Sequence, residues 1–94
     1  MSYSVLLGPD AAEYLSLLDD KSERIVKENL GKLADSPYPG RGQGDKERLT
    51  VDGEEIYRMH IGRTHTAFYI INEDGSEVRV FDIMPIDEAH KRYD

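Results

Sequence analysis

The sequence predicts an α+β fold, with an N-terminal strand and a helical hairpin packed on an antiparallel sheet and a short helix at the C-terminal end. Three observations carry this. The first third holds two apolar stripes at helical spacing. The second half holds four runs in which apolar and polar residues alternate, separated by turn dipeptides. The closing stretch passes from acidic to basic along a few residues. Helices segregated from an antiparallel sheet pack as two layers.

Residues 3–7 are a short apolar strand ended by Gly8-Pro9. Proline suits the first turn of a helix, where its missing N–H costs nothing. Ala11, Leu15 and Leu18 then recur at helical spacing. Asp19-Asp20 ends that helix and starts another. Asp20 followed by Glu23 has the form of a capping box, in which Asp20 accepts from free amides of the first turn. Val26, Leu30 and Leu33 make the second stripe, and Ser36-Pro37 stops it. The two helices read as an antiparallel hairpin. Residues 36–45 are proline- and glycine-rich and read as the longest irregular, mobile loop. They lack the GxxxxGK[ST] pattern of a phosphate loop.

Residues 46–51 read as an edge strand, turned by Asp52-Gly53. The central hairpin is residues 54–61 and 65–71, folded at Gly62-Arg63-Thr64. Strand side chains repeat every second residue, so Tyr57, Met59 and Ile61 share one face, and Arg58 and His60 share the other. A turn at Asp74-Gly75 leads to a last strand with Val78, Val80, Phe81 and Ile83, ended by Pro85. In 86–93, Asp87-Glu88 stand early and His90-Lys91-Arg92 late, as the helix dipole favours. Ile86, Ala89 and Tyr93 share one helical face.

Ninety-four residues suit a single domain spanning 1–94. Hydrophobic residues are 38% of the chain, which gives a thin core that a partner chain or a second copy would supplement. There is no bilayer-length apolar run and no signal peptide, so the cytoplasm is the expected location. With no cysteine, disulfides and thiolate metal sites are excluded. The net charge of −7 argues against simple electrostatic capture of nucleic acid. It leaves room for a local basic pocket.

Such a pocket is expected at Arg58, His60, Arg63 and His65. Metal-free RNA cleavage needs a base for the 2′-oxygen, an acid for the leaving 5′-oxygen, and cations on the phosphorane. Histidine serves as base or acid, and the planar fork of arginine grips phosphate. The plain alternative is that Arg58 and His60 form the solvated face of a strand. The histidines do not make an HxH or HxxxH pair, so neither a metal nor another cofactor is expected. Asp19-Asp20, Glu54-Glu55 and Asp87-Glu88 sit at turns and element starts, where caps and solvated faces explain them. Tyr38 is the loop tyrosine placed to stack on a base.

Arg48-Leu49, Tyr57-Arg58, Phe68-Tyr69-Ile70-Ile71, the Val-x-Val-Phe strand and the closing Ala-His-Lys-Arg-Tyr come in an order that resembles the RelE/ParE toxin superfamily across nearly the whole chain. The resemblance implies a ribosome-dependent endoribonuclease that cuts mRNA and inhibits translation, held in check by a cognate antitoxin. ParE-like members poison gyrase instead. It places Arg58 and His60 where the family has two basic residues on the third strand. The candidate catalytic residues are Arg58, His60, Arg63, His65 and Tyr93, where Tyr93 either stands in for the family's terminal tyrosine or packs with Ile86 and Ala89. The candidate substrate contacts are Arg48, His90, Lys91 and Arg92, of which Lys91 and Arg92 alternatively only favour the helix end. Two departures stand out. Thr66 occupies the position of a family arginine, and Met84-Pro85-Ile86-Asp87-Glu88 replaces a basic run. A non-enzymatic toxin-fold protein that binds gyrase, or only its antitoxin, is the alternative. The antitoxin would lay a helix beside the helical hairpin or add a strand to a sheet edge.

Overall fold

The computed structural model describes residues 2–40 and 46–93. Its elements are β1 (Ser4–Leu7), α1 (Pro9–Ser16), α2 (Asp20–Gly31), a 3₁₀ turn (Lys32–Ala34), β2 (Lys46–Val51), β3 (Glu54–Ile61), β4 (His65–Asn72), β5 (Glu77–Pro85) and α3 (Ile86–Tyr93). Residues 36–40 of the expected loop are irregular, and its remaining positions, 41–45, lie outside the described residues.

The five strands form one sheet in the order β1-β5-β4-β3-β2. From β2 to β5 it is the expected antiparallel meander. Asp52 and Gly53 both have positive φ, 52° and 83°. That is what a two-residue hairpin turn of matching twist requires. It sets the register in which Glu47 faces Arg58 and Arg48 faces Tyr57. The β3–β4 turn brings Ile61 opposite His65 and His60 opposite Thr66. The sheet as a whole is mixed, because β1 runs parallel to β5. No tight turn joins those two strands, so nothing in the chain forces them antiparallel.

On the inner face, Ala11, Leu15, Val26, Leu30 and Leu33 pack against Tyr57, Met59, Ile61, Ala67, Tyr69, Val78, Val80 and Ile83. The helix stripes and the β3 parity are those that the sequence predicts, and β5 places Phe81 on the face opposite Val78, Val80 and Ile83. Burying each large side chain contributes about 1.5–3 kcal/mol. Tyr57 and Tyr69 stack at 5.5 Å, and the Tyr69 hydroxyl donates to the Pro37 carbonyl at 2.6 Å. The outer face has its own small core of Ile56, Phe68, Met84 and Ala89. Ala89 brings α3 onto that face. The expected two layers therefore gain a partial third, because a strand with apolar residues on both parities needs cover on both sides.

The N-cap of α2 is Asp19, not Asp20. Asp19 is extended (φ −69°, ψ 165°) and accepts from the Ser22 amide, whereas Asp20 is already helical. Asp19 is held below its usual carboxylate range by its side-chain hydrogen bond with Ser22. No helix among the described residues is long and apolar enough to cross a membrane.

Tyr69→Phe takes the phenol away from a buried carbonyl and should cost about 1–3 kcal/mol. Tyr69→Ala adds a cavity and should cost about 3–5 kcal/mol. Urea denaturation measures both. Equal losses for the two variants would assign the effect to the hydroxyl alone.

Candidate active site

Pleat parity decides which sequence candidates meet. Even-numbered residues of β3 and β4 point outward and odd ones inward, as the pairs His60↔Thr66 and Ile61↔His65 require. Arg58 and His60 therefore lie on the outer face, with Thr66 and Phe68 beside them. α3 lies over the same face and brings His90 and Arg92.

His60 and His90 face each other with ring centroids 6.4 Å apart and planes tilted by 35°. His60 Nδ1 lies 3.1 Å from the hydroxyl of Thr66, a fully buried residue. That contact orients the ring and engages Nδ1 rather than Nε2. Thr66 thus orients an imidazole here. Two guanidinium groups lie on the same outer face, each on a carboxylate. Arg58 Nη2 donates to Glu47 Oε2 at 2.7 Å. Arg92 Nη1 donates to Asp82 Oδ2 at 3.4 Å, and its other amine lies 3.9 Å from Glu88. Burial raises the Asp82 pKa, and the Arg92 charge works in the opposite direction.

His65 does not join this group. It points to the inner face, where its Nδ1 lies 2.8 Å from the Tyr14 hydroxyl and its ring meets Tyr14 edge-on at 5.7 Å. Burial lowers its pKa. Arg63 is exposed on the turn at the end of the sheet where α3 begins, a place marked by the 3.0 Å bond from the Ile86 amide to the Thr64 carbonyl. Lys91 is exposed on α3. The backbone of Tyr93 ends α3, and its side chain lies outside what is described. Arg48 also faces inward. It lines a separate cleft of about 400 Å³ with Tyr38, Pro39 and Tyr57. There Tyr38 lies edge-on to Tyr57 and donates to the Glu73 carboxylate, which also accepts from Tyr3 at 2.9 Å. The Glu73 bond raises the pKa of both phenols. Arg48 and Tyr38 are thus on the far side of the sheet from His60. Among the described residues no group of three acidic or histidine side chains is placed to hold a metal.

Sequence reasoning overlooked Glu47 and Asp82. Glu47 was within reach, because a turn centred on Asp52-Gly53 puts it opposite Arg58. Asp82 was not, because the register shift at Phe68/Tyr69 changes which β5 residue faces β4.

No family model and no curated protein sequence matches the chain. Solved structures do. The archaeal RelE–RelB complex from Pyrococcus horikoshii aligns with a TM-score of 0.73 and 23% identity over 90% of this chain and 96% of that one. The RelBE2 toxin–antitoxin complex from Mycobacterium tuberculosis aligns at 0.75 and 19% over 90% and 99%. The YoeB dimer from Staphylococcus aureus aligns at 0.68 and 18% over 89% and 97%. The chain has the RelE/ParE toxin fold.

His65 gives a pH test. Its folded pKa lies below the unfolded value, so the unfolded chain takes up the proton first as pH falls. Its contribution is complete above about pH 6.5 and is lost as pH falls through the folded pKa. The denaturation midpoint should therefore drop between about pH 7.5 and about pH 5.5. In His65→Gln that drop should shrink. An unchanged slope would mean that His65 is not the group responsible.

Proposed function

We propose that this chain is the toxin of a toxin–antitoxin pair and a metal-independent endoribonuclease that cuts mRNA on the ribosome. The fold supports the toxin part, and two of the neighbours are toxin–antitoxin complexes. The observation that carries the nuclease part is the His60–His90 pair, with Arg58 two residues from His60 on the same strand face and Arg92 on the same helix as His90.

In this reading one imidazole takes the proton from the 2′-hydroxyl. The 2′-oxygen attacks phosphorus, and the bond from phosphorus to the 5′-oxygen breaks. The other imidazole gives its proton to that 5′-oxygen, leaving a 2′,3′-cyclic phosphate. Arg58 and Arg92 exchange their carboxylate partners for phosphate oxygens and stabilise the phosphorane. Arg63 and Lys91 stand at the rim and meet neighbouring phosphates. Tyr93 at the end of α3 is a further contributor. This reading gives Arg48 and His65 no part in the chemistry, as both lie on the inner face away from His60 and His90. The antitoxin, the ribosome and mRNA are the partners, which puts the protein in the cytoplasm.

A second reading has its own support. Both arginines are matched by carboxylates, and the chain carries a charge of −7. This favours a toxin-fold protein that binds gyrase or only its antitoxin.

Purified protein in an in vitro translation reaction, read by primer extension, separates the two. Wild type should cut the translated mRNA. Loss of one acid–base group is typically worth about 10²–10⁴-fold, so His60→Ala and His90→Ala should each lose that much. His65→Gln should cut as wild type does. Equal cutting by wild type and His60→Ala would remove the site assignment. Inhibited supercoiling with intact mRNA would decide for the second reading.

A further inference from the structure

We propose that the outer face also carries a docking groove, at the β2–β3 turn end of the sheet, that takes a basic amphipathic helix from a partner protein. This deepens the toxin–antitoxin reading by giving the chemistry of the antitoxin segment, and it rests on that reading for the partner's identity.

α3 covers only part of the outer face. Ala89 closes over Phe68 and Met84. Leu49, Val51, Ile70 and Phe81 pack around buried Ile56 yet stay partly open to solvent. They form an apolar floor three strands wide with Phe81 as a wall. In it lies a cleft of about 340 Å³, lined by Val51, Asp52, Glu54, Ile56 and Phe81. A cleft with a half-buried apolar floor and an open mouth offers an apolar side chain of a partner a place to bury.

Charge selects the occupant. Asp52 and Glu54 stand exposed at the mouth, and neither is ion-paired among the described residues. The arginines beside the floor bring no net positive charge, since Arg58 is matched by Glu47 and Arg79 by Glu77. The field at the groove is therefore negative. A second copy of this chain would bring −7 against −7, and an acidic segment or RNA phosphate would meet the same repulsion. A helix fits, with one apolar stripe for the floor, a large apolar side chain for the cleft, and Lys or Arg on its flanks.

Two fluorescently labelled amphipathic helical peptides test this. They share one leucine stripe and differ only in flanks of Lys or of Glu. Anisotropy titration of the whole protein should give binding of the Lys peptide about tenfold or more tighter than the Glu peptide, a gap that narrows with salt. Amide NMR shifts should map to β2, β3 and Phe81. The double variant Asp52→Asn/Glu54→Lys should abolish or reverse the preference with an unchanged circular dichroism spectrum; asparagine tolerates the left-handed backbone at position 52. Val51→Ser should weaken both peptides. Equal affinity for the two peptides, no binding of either, shifts elsewhere on the chain, or a preference untouched by the double variant would each overturn the proposal. The titration needs neither ribosome nor cleavage, so its failure is separate from failure of the nuclease reading. It would also leave antitoxin contact open through other surfaces.

Discussion

The register of the β3–β4 hairpin is the constraint on which the outer face depends. Strand side chains have a period of two, so a slip of one residue would send Tyr57, Met59 and Ile61 outward and drive Arg58 and His60 into the helix-covered core. Burying those polar groups without partners costs several kcal/mol, roughly 2–7 for a neutral polar group alone. The register is also held from within. Tyr57 stacks on Tyr69, and Tyr69 is tied by its hydroxyl to Pro37 beyond the helical hairpin. Gly62 takes a φ of 62° at the turn, where a side chain would be strained. The aromatic core thus aims the histidines: it fixes which parity faces inward, and the cations take what remains.

Electrostatic balance on the outer face follows from that placement. Arg58 has a side chain only 12% exposed, against 47% for Glu47. A guanidinium so far from water needs a partner, because desolvation outweighs a weak contact. Glu47 supplies it at hydrogen-bond distance; Arg92, half exposed, meets Asp82 at 3.4 Å without that need. Burial pushes the Asp82 pKa up, and the Arg92 charge works against that shift. In the nuclease reading a phosphate must then replace a carboxylate, one anion for another. Such an exchange gains little by itself. Affinity has to come from contacts elsewhere on a large substrate assembly, which fits mRNA held in a ribosome better than free RNA.

Much of this was legible in the sequence, and the limits have physical causes. The stripes of α1 and α2, the four-strand meander and the parities of β3 were readable because apolar periodicity and turn dipeptides are local signals. Tyr57 inward and Arg58 outward followed directly. The same parity separates His60 from His65, which adjacency in the chain conceals. The parallel pairing of β1 with β5 was not readable, since no turn connects them. The cap on Asp19 rather than Asp20 turns on one backbone dihedral pair. The meeting of His60 with His90 depends on α3 crossing the sheet, a tertiary event set by Ala89 finding Phe68 and Met84. Asp82 was hidden by a bulge. In each case the missing information was a long-range contact, where composition and spacing are silent.

α3 carries the last step. A helix of eight residues has little stability alone, because nucleation is costly and few bonds follow. Its place is secured by Ala89 in the outer core and by the Ile86 amide on the Thr64 carbonyl. The next residue after Ala89 is His90, and Arg92 lies three beyond Ala89. The residues that pack and the residues that would react thus belong to the same two turns of helix. The proposed groove continues the same apolar floor past the end of that contact. A partner helix seated there would pack on the same outer cluster, Ile56, Phe68, Met84 and Ala89, that holds α3. If the nuclease reading holds, inhibition by such a partner does not require it to touch either histidine. It need only alter the packing that holds His90 over His60, and by reciprocity a substrate that needs α3 in place would weaken the partner.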